Sequence, residues 1–246
     1  MASKSGIEYF IQGFSLISTK GVKRFVLVPL TVNILLFTGA FIWGYQQLDE
    51  VFLWIKDSLP DWLMWLETVF VPLAAFLMLV FFMMIFSIAA NWIAAPFNGL
   101  LAERIEAHLT QQTPPPGGIV AIAKDVPRTI HREWRKLAYY IPRAIGFFIL
   151  FLILPVIGQL IWILFSGWMM AVQYCDYPFD NHKTSFDDMK SMLRRRKGLT
   201  FSFGLTVMLF AAIPFVNLIV MPVAICGATA LFVDNFRSAG EFTRRH

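Results

Sequence analysis

The chain has 246 residues, of which 57% are hydrophobic and only 15% charged. Soluble domains carry about 25% charged residues, so this composition excludes an ordinary soluble domain and predicts an all-α integral membrane protein. The net charge of +5 points to topology and anionic lipid before nucleic acid, and two cysteines are too few for a disulfide framework or a metal set.

The first stretch does not read as a secretory signal. It lacks a compact apolar core with a small-residue cleavage site, and Glu8 interrupts it. Ile7, Phe10, Ile11, Phe14 and Ile17 recur at three- and four-residue spacing, with Tyr9, Gln12, Ser15 and Ser18 largely off that stripe. This predicts an amphipathic helix over 1–20 lying in the membrane interface. Gly21 ends it.

Phe25 to Tyr45 is a run of 21 residues without a charge. At about 1.5 Å per residue it crosses a hydrocarbon core of roughly 30 Å. Its head is Gly21-Val22-Lys23-Arg24. The first turn of a helix has backbone N–H groups without an intrahelical partner, and the dipole makes that end partly positive. Lys23 and Arg24 add two charges, and Gly21 leaves the backbone open to approach. Such a place suits a small oxyanion. Positive-inside anchoring explains the same cations without any ligand.

Gln46 to Glu67 reads as a loop with five acids, one base and three tryptophans. Thr68 to Ala102 is 35 residues without a charge and predicts a long transmembrane helix over 68–110. One of its faces carries Ser87, Asn91, Asn98, Ala102 and Glu106. Two readings of that face are compatible: close helix packing through small residues, or the wall of a polar path. Glu103, Arg104 and Glu106 would stand at its end as a charge filter or gate. Residues 111–143 and 176–198 are rich in bases and read as cytoplasmic helical segments, and the tail, with three bases and two acids, falls on the same side.

Two long apolar segments remain, 144–175 and 199–233. Each leaves a basic stretch and returns to one. Ala144 to Leu154 is 11 residues, roughly half a bilayer of helix, before Pro155. Pro214 breaks the second segment in a similar way, and Ile153-Leu154-Pro155-Val156 resembles Ala212-Ile213-Pro214-Phe215 in pattern. Both segments are therefore predicted as Pro-broken re-entrant hairpins. The whole chain, 1–246, is one membrane domain. Cys175 and Cys226 sit in apolar runs and read as buried thiols.

No charged residue and no histidine lies inside an uncharged segment, which favours a passive path over a buried proton relay. No phosphate-loop motif, catalytic set or metal spacing occurs, so no cofactor and no metal is expected. The polar cluster Asp176-Tyr177-Pro178-Phe179-Asp180-Asn181-His182 reads as a turn that Pro178 starts and Asp180 and Asn181 cap, with a membrane enzyme's loop as the alternative. Arg194-Arg195-Arg196-Lys197 reads as a cytoplasmic anchor touching anionic lipid.

Several stretches together resemble the CysZ family of sulfate permeases. They are Gly21-Val22-Lys23-Arg24-Phe25-Val26-Leu27-Val28-Pro29-Leu30, Ala95-Pro96-Phe97-Asn98-Gly99-Leu100-Leu101-Ala102-Glu103, Asp176-Tyr177-Pro178, Asn181-His182 and Gly227-Ala228-Thr229-Ala230. The resemblance implies sulfate uptake across the bacterial inner membrane for cysteine biosynthesis, by a multi-pass homo-oligomer that is not an enzyme. It implies two long transmembrane helices and two hemi-penetrating hairpins. It implies a sulfate site at Gly21, Val22, Lys23 and Arg24. Lysine stands at 23 where the family often has arginine, keeping the charge but losing the planar fork. A lipid head-group enzyme and a non-transporting scaffold are the alternative functions.

Overall fold

The computed structural model describes residues 4–19, 22–58, 72–73, 76–77, 79–80, 97–113 and 119–237. Every regular element among them is helical. In chain order these are α1 (Gly6–Ile17), α2 (Lys23–Ser58), α3 (97–110), α4 (Ile119–Ile153), α5 (Ile157–Asn181), α6 (Phe186–Arg195), α7 (Lys197–Ala211) and α8 (Pro214–Asn235). The chain forms two units, one of residues 1–26 with 95–246 and one of residues 27–94. Of the helix expected over 68–110, residues 97–110 are α3, and the part before residue 97 lies largely outside the described residues.

In the smaller unit α2 runs on to Ser58, past the expected end of the span at Tyr45. Gln46 to Ser58 contains no Gly or Pro, so nothing local stops the helix until Pro60. The first half of the expected acidic loop is thus helix. Leu35, Phe41, Trp43 and Leu53 are exposed on it.

The larger unit is built on two helical hairpins. In the first, α4 and α5 pair antiparallel around a turn at Leu154-Pro155-Val156. The register is visible in ring contacts: Phe148 meets Trp162 at 5.9 Å and Phe147 meets Phe165 at 4.7 Å. At the turn, Gly158 sits so close to α4 that an added Cβ would lie 2.3 Å from the Leu150 carbonyl oxygen. The second hairpin joins α7 to α8, with Pro214 at the first turn of α8, where its missing N–H costs nothing. Both prolines thus stand at the turns, as the sequence pattern predicts.

The first arm is longer than its uncharged part. Helix α4 spans 35 residues and carries Pro127 and Pro142 inside it. The expected cytoplasmic segment 111–143 and the first hairpin arm share this one helix, and Arg128, Arg132 and Lys136 on it have partners on α5. Pro178 likewise does not stop α5, which runs to Asn181, and the turn falls at His182–Lys183. The cap of α6 is Ser185, whose hydroxyl accepts from the Asp188 N–H at 3.1 Å. Asp187 and Asp188 in its first turn and Arg194 and Arg195 in its last complement its dipole.

Helix α1 lies against α7 and α8. Ser5 and Glu8 form a capping box at its start, and the Ser5 N–H holds the Glu8 carboxyl below its ordinary range. The buried face is Tyr9, Phe10, Gly13 and Leu16, whereas Ile7 and Ile11 are exposed. The apolar stripe read from spacing is therefore rotated from the face that packs. Glycine sets the rotation: Gly13 faces the Val223 carbonyl and Gly227 faces the Tyr9 carbonyl, so the two backbones approach with no side chain between them.

Helix α5 packs on α7 in the same manner. A Cβ on Gly204 would lie 1.9 Å from the Gly167 carbonyl oxygen. Cys175 and Cys226 are both buried free thiols, as expected. The Gly204→Ala variant is expected to lose about 1–3 kcal/mol of stability by overpacking backbone against backbone. A thermal melt in detergent checks this, and a wild-type melting temperature contradicts it.

Candidate functional site

The head of α2 is the first place to look for an oxyanion. Lys23 is exposed at the first turn of the helix, and Val22 just before it is buried. The Val22 N–H donates to the Thr19 carbonyl at 3.2 Å. That donor is engaged in a turn, so of the expected backbone ligands this one is not free for an anion. Gly21 and the Arg24 side chain lie outside the described residues, and Arg24 is in the helix.

A buried cluster of charged groups in the larger unit lies elsewhere, in a seam between α4 and α5. Arg128, Arg132 and Lys136 recur every four residues on α4, and Asp176 and Asp180 do so on α5. The antiparallel register brings the two rows together. Arg132 contacts Asp176 at 2.8 Å and Asp180 at 3.2 Å, and Arg128 pairs with Asp180. Lys136 contacts Asp176 at 3.3 Å and Glu133 at 2.6 Å, and lies over the Tyr177 ring at 4.9 Å. Arg132 also donates to the Thr184 carbonyl at 2.7 Å. Asp176, Lys136 and Glu133 are buried, at 2%, 4% and 6% exposure. Three cations meet three carboxylates here. The seam has no cation in excess for an anionic substrate, and it is built to hold the hairpin closed at its base.

The expected pore face meets the end of α5. Asn98 is buried and donates to the Tyr177 hydroxyl at 3.1 Å. Asn181 donates to the Gly99 carbonyl at 2.8 Å. Glu106 contacts His182 at 2.8 Å and Arg237 at 3.1 Å. Asn98 and Glu106, on the described part of this face, are thus matched by protein partners. Glu106 draws its partners from α5's end and from beyond α8, whereas the sequence offered Arg104. Glu103 and Arg104 are half-buried on the same helix and have interactions of their own. Ser87 and Asn91 lie outside the described residues.

These contacts also explain why distant motifs accompany one another. Ala95–Glu103 supplies Asn98 and Gly99, and Asp176–His182 supplies Tyr177 and Asn181. One docks on the other. Gly227, from the motif near the end, carries the close approach of α1.

A family described as sulfate transporter CysZ/etoposide-induced protein 2.4 matches residues 9–222. The chain belongs to this family. The match takes in the head of α2, the α4–α5 seam and α3, and stops inside α8. Together with two helices long and apolar enough to cross a bilayer, Val126–Ile153 and Ile157–Asn181, it makes this a membrane protein.

A second basic surface was not singled out as a site from the sequence. Lys4, Arg195, Arg196 and Lys197 surround a hollow of about 400 Å³ with Ser5 and Ser202. Lys4 is paired with Asp234 at 3.5 Å, and Arg196 donates to Asn235 at 2.8 Å. Four exposed cations there raise the local concentration of any anion. The basic run is visible in the sequence, but its proximity to Lys4 depends on α1 folding back onto α7.

The seam gives a direct prediction. Asp176→Ala leaves Arg132 and Lys136 without their shared carboxylate, and is expected to cost about 3–5 kcal/mol or to prevent folding. Asp187→Ala removes an exposed pair with Arg135 and Lys190 and is expected to cost at most about 1 kcal/mol. Melting temperatures of the two variants check the contrast, and equal losses contradict it.

Proposed function

We propose that the chain carries sulfate across the bacterial inner membrane, supplying it for cysteine biosynthesis. The observation that carries this reading is the family match, which includes the cationic head of α2. Sulfate is a doubly charged tetrahedral oxyanion, and a helix N-terminus flanked by Lys23 and Arg24 offers it charge and donors. Lys23 and Arg24 are the ligands proposed, with the backbone at Gly21 beside them. Val22 serves by position.

The two hairpins are proposed to enter the membrane from their charged bases. Arg143 to Leu154 is roughly half a bilayer of helix, and its outer side chains Ile145, Phe148, Leu152 and Ile153 are exposed. The exposed Ile7 and Ile11 of α1 would then face lipid at the interface. Helix α2 and the helix over 68–110 are proposed as the full spans, and a homo-oligomer would cover the hairpin tips. The path itself is proposed along the Ser87–Asn91–Asn98 side, with Glu103, Arg104 and Glu106 at one end. Glu106 is there held by His182 and Arg237, so a passing anion meets a neutralised carboxylate instead of a bare one. Release requires that binding at the head of α2 stay weak.

A membrane enzyme would place its chemistry at Asp176–His182. Asp176 and Asp180 have ionic partners in the protein and His182 is hydrogen-bonded to Glu106, which supports transport over catalysis. Labelled sulfate flux into proteoliposomes tests the proposal. Wild type is expected to carry flux, and Arg24→Ala to reduce it at least tenfold with folding intact, as losing a charged contact worth about 1.5–3 kcal/mol implies. Unchanged flux in Arg24→Ala contradicts the site, and absent flux in wild type contradicts the function. An imposed pH gradient separates the two modes: accumulation above equilibrium means proton coupling, and flux indifferent to pH means a channel-like path.

A further inference from the structure

A cavity of about 310 Å³ opens between α4, α5 and α7. One end carries Arg143, Tyr139 and Trp168, and the other is lined by Phe147, Ile161 and Leu164. The polar end lies toward the base of the first hairpin and the apolar end toward its tip, because α4 and α5 both run between the seam and Pro155. The Trp168 indole N–H donates to the Tyr139 hydroxyl at 3.2 Å, closing the polar end with two rings. Arg143 lies 3.9 Å over the Tyr139 ring and donates to that residue's carbonyl at 2.8 Å. Among the described residues it has no carboxylate partner, which sets it apart from the balanced cations of the seam. Lys190 reaches the same ring at 4.5 Å, with Asp187 at 2.7 Å.

A groove with one unmatched cation and two interfacial rings at one end, and only hydrocarbon beyond, has the polarity of a lipid molecule. Its lining runs from Tyr139 to Phe147 on α4 and from Ile161 to Trp168 on α5, about 12 Å of helix, which suits a head group and the upper part of one acyl chain within a single leaflet. We propose that this groove holds one anionic glycerophospholipid, with its phosphate on Arg143 and one acyl chain along Phe147, Ile161 and Leu164. The inference rests on the hairpin's placement in the membrane. A zwitterionic head group would bring its own cation toward Arg143 and Lys190, so the site prefers a head group of net negative charge.

Native mass spectrometry of the detergent-purified full chain tests this by counting bound lipid. The probes are phosphatidylglycerol, phosphatidylcholine of the same chains, and soluble glycerol phosphate. Wild type is expected to retain phosphatidylglycerol over phosphatidylcholine by about fivefold, as one cation beside an anionic lipid gives. Arg143→Gln is expected to lose the preference and Arg143→Lys to keep most of it. Leu164→Trp, which fills the groove, is expected to lose both lipids, and glycerol phosphate is expected not to compete. Equal retention of the two lipids by wild type overturns the proposal without any variant. Full preference in Arg143→Gln, unaltered binding in Leu164→Trp, or displacement by glycerol phosphate overturns it as well. The readout counts lipid and not sulfate, so it is independent of the transport reading: flux without lipid preference removes this site alone.

Discussion

Asp176 is almost fully buried, and each of its oxygens faces a cation, Arg132 on Oδ1 and Lys136 on Oδ2. A single buried charge would cost several kcal/mol, so the three groups must be buried together or not at all. That requirement fixes the register of α4 against α5. Through Tyr177, Asn181 and His182 on the same end of α5, it also fixes where α3 docks. The apolar arms beyond Arg143 are therefore held from their base, and the ring contacts toward Pro155 add packing to a register already set.

The other half of the larger unit is held by approach instead of charge. Gly13, Gly167, Gly204 and Gly227 let α1, α5, α7 and α8 meet at backbone distance. Burial without polar atoms suits a membrane, where dispersion and close fit replace the hydrophobic effect between helices. The Tyr9 hydroxyl closes this cluster on Asp234 and Asn235 at the end of α8, and burial raises that phenol above its ordinary range. The exposed cations Lys23, Arg143, Arg195 and Lys197 stand apart from both devices, whereas Arg196 joins the second through Asn235. The charge of the seam is buried and balanced, and the surface cations are the proposed contacts for sulfate and for lipid phosphate.

The helical class, the two proline turns and the buried thiols were legible in the sequence, because composition and proline placement act locally. The seam was not read, although its signal was present. Arg128, Arg132 and Lys136 at four-residue spacing, facing Asp176 and Asp180 at the same spacing, are a pair of matching rows, but counting bases by loop hides spacing. The face of α1 was misread because Gly13 carries no hydrophobic signal yet decides which side packs. Pro178 was read as a stop, but a helix tolerates proline when the neighbouring contacts are as dense as those of Asp176 to Asn181. Of the candidate site, the cations at the head of α2 were evident. The partners of Asn98 and Glu106 were not, since they come from residues about eighty or more positions away.

Sulfate is proposed to meet the head of α2 at Lys23 and Arg24 and to leave the buried seam alone. Hydrogen exchange by mass spectrometry on the wild-type protein, with and without sulfate, tests it most directly. Slower exchange is expected in peptides covering 20–27, with no change in those covering 128–136 and 174–182. Protection confined to the seam peptides, with none at 20–27, would contradict it.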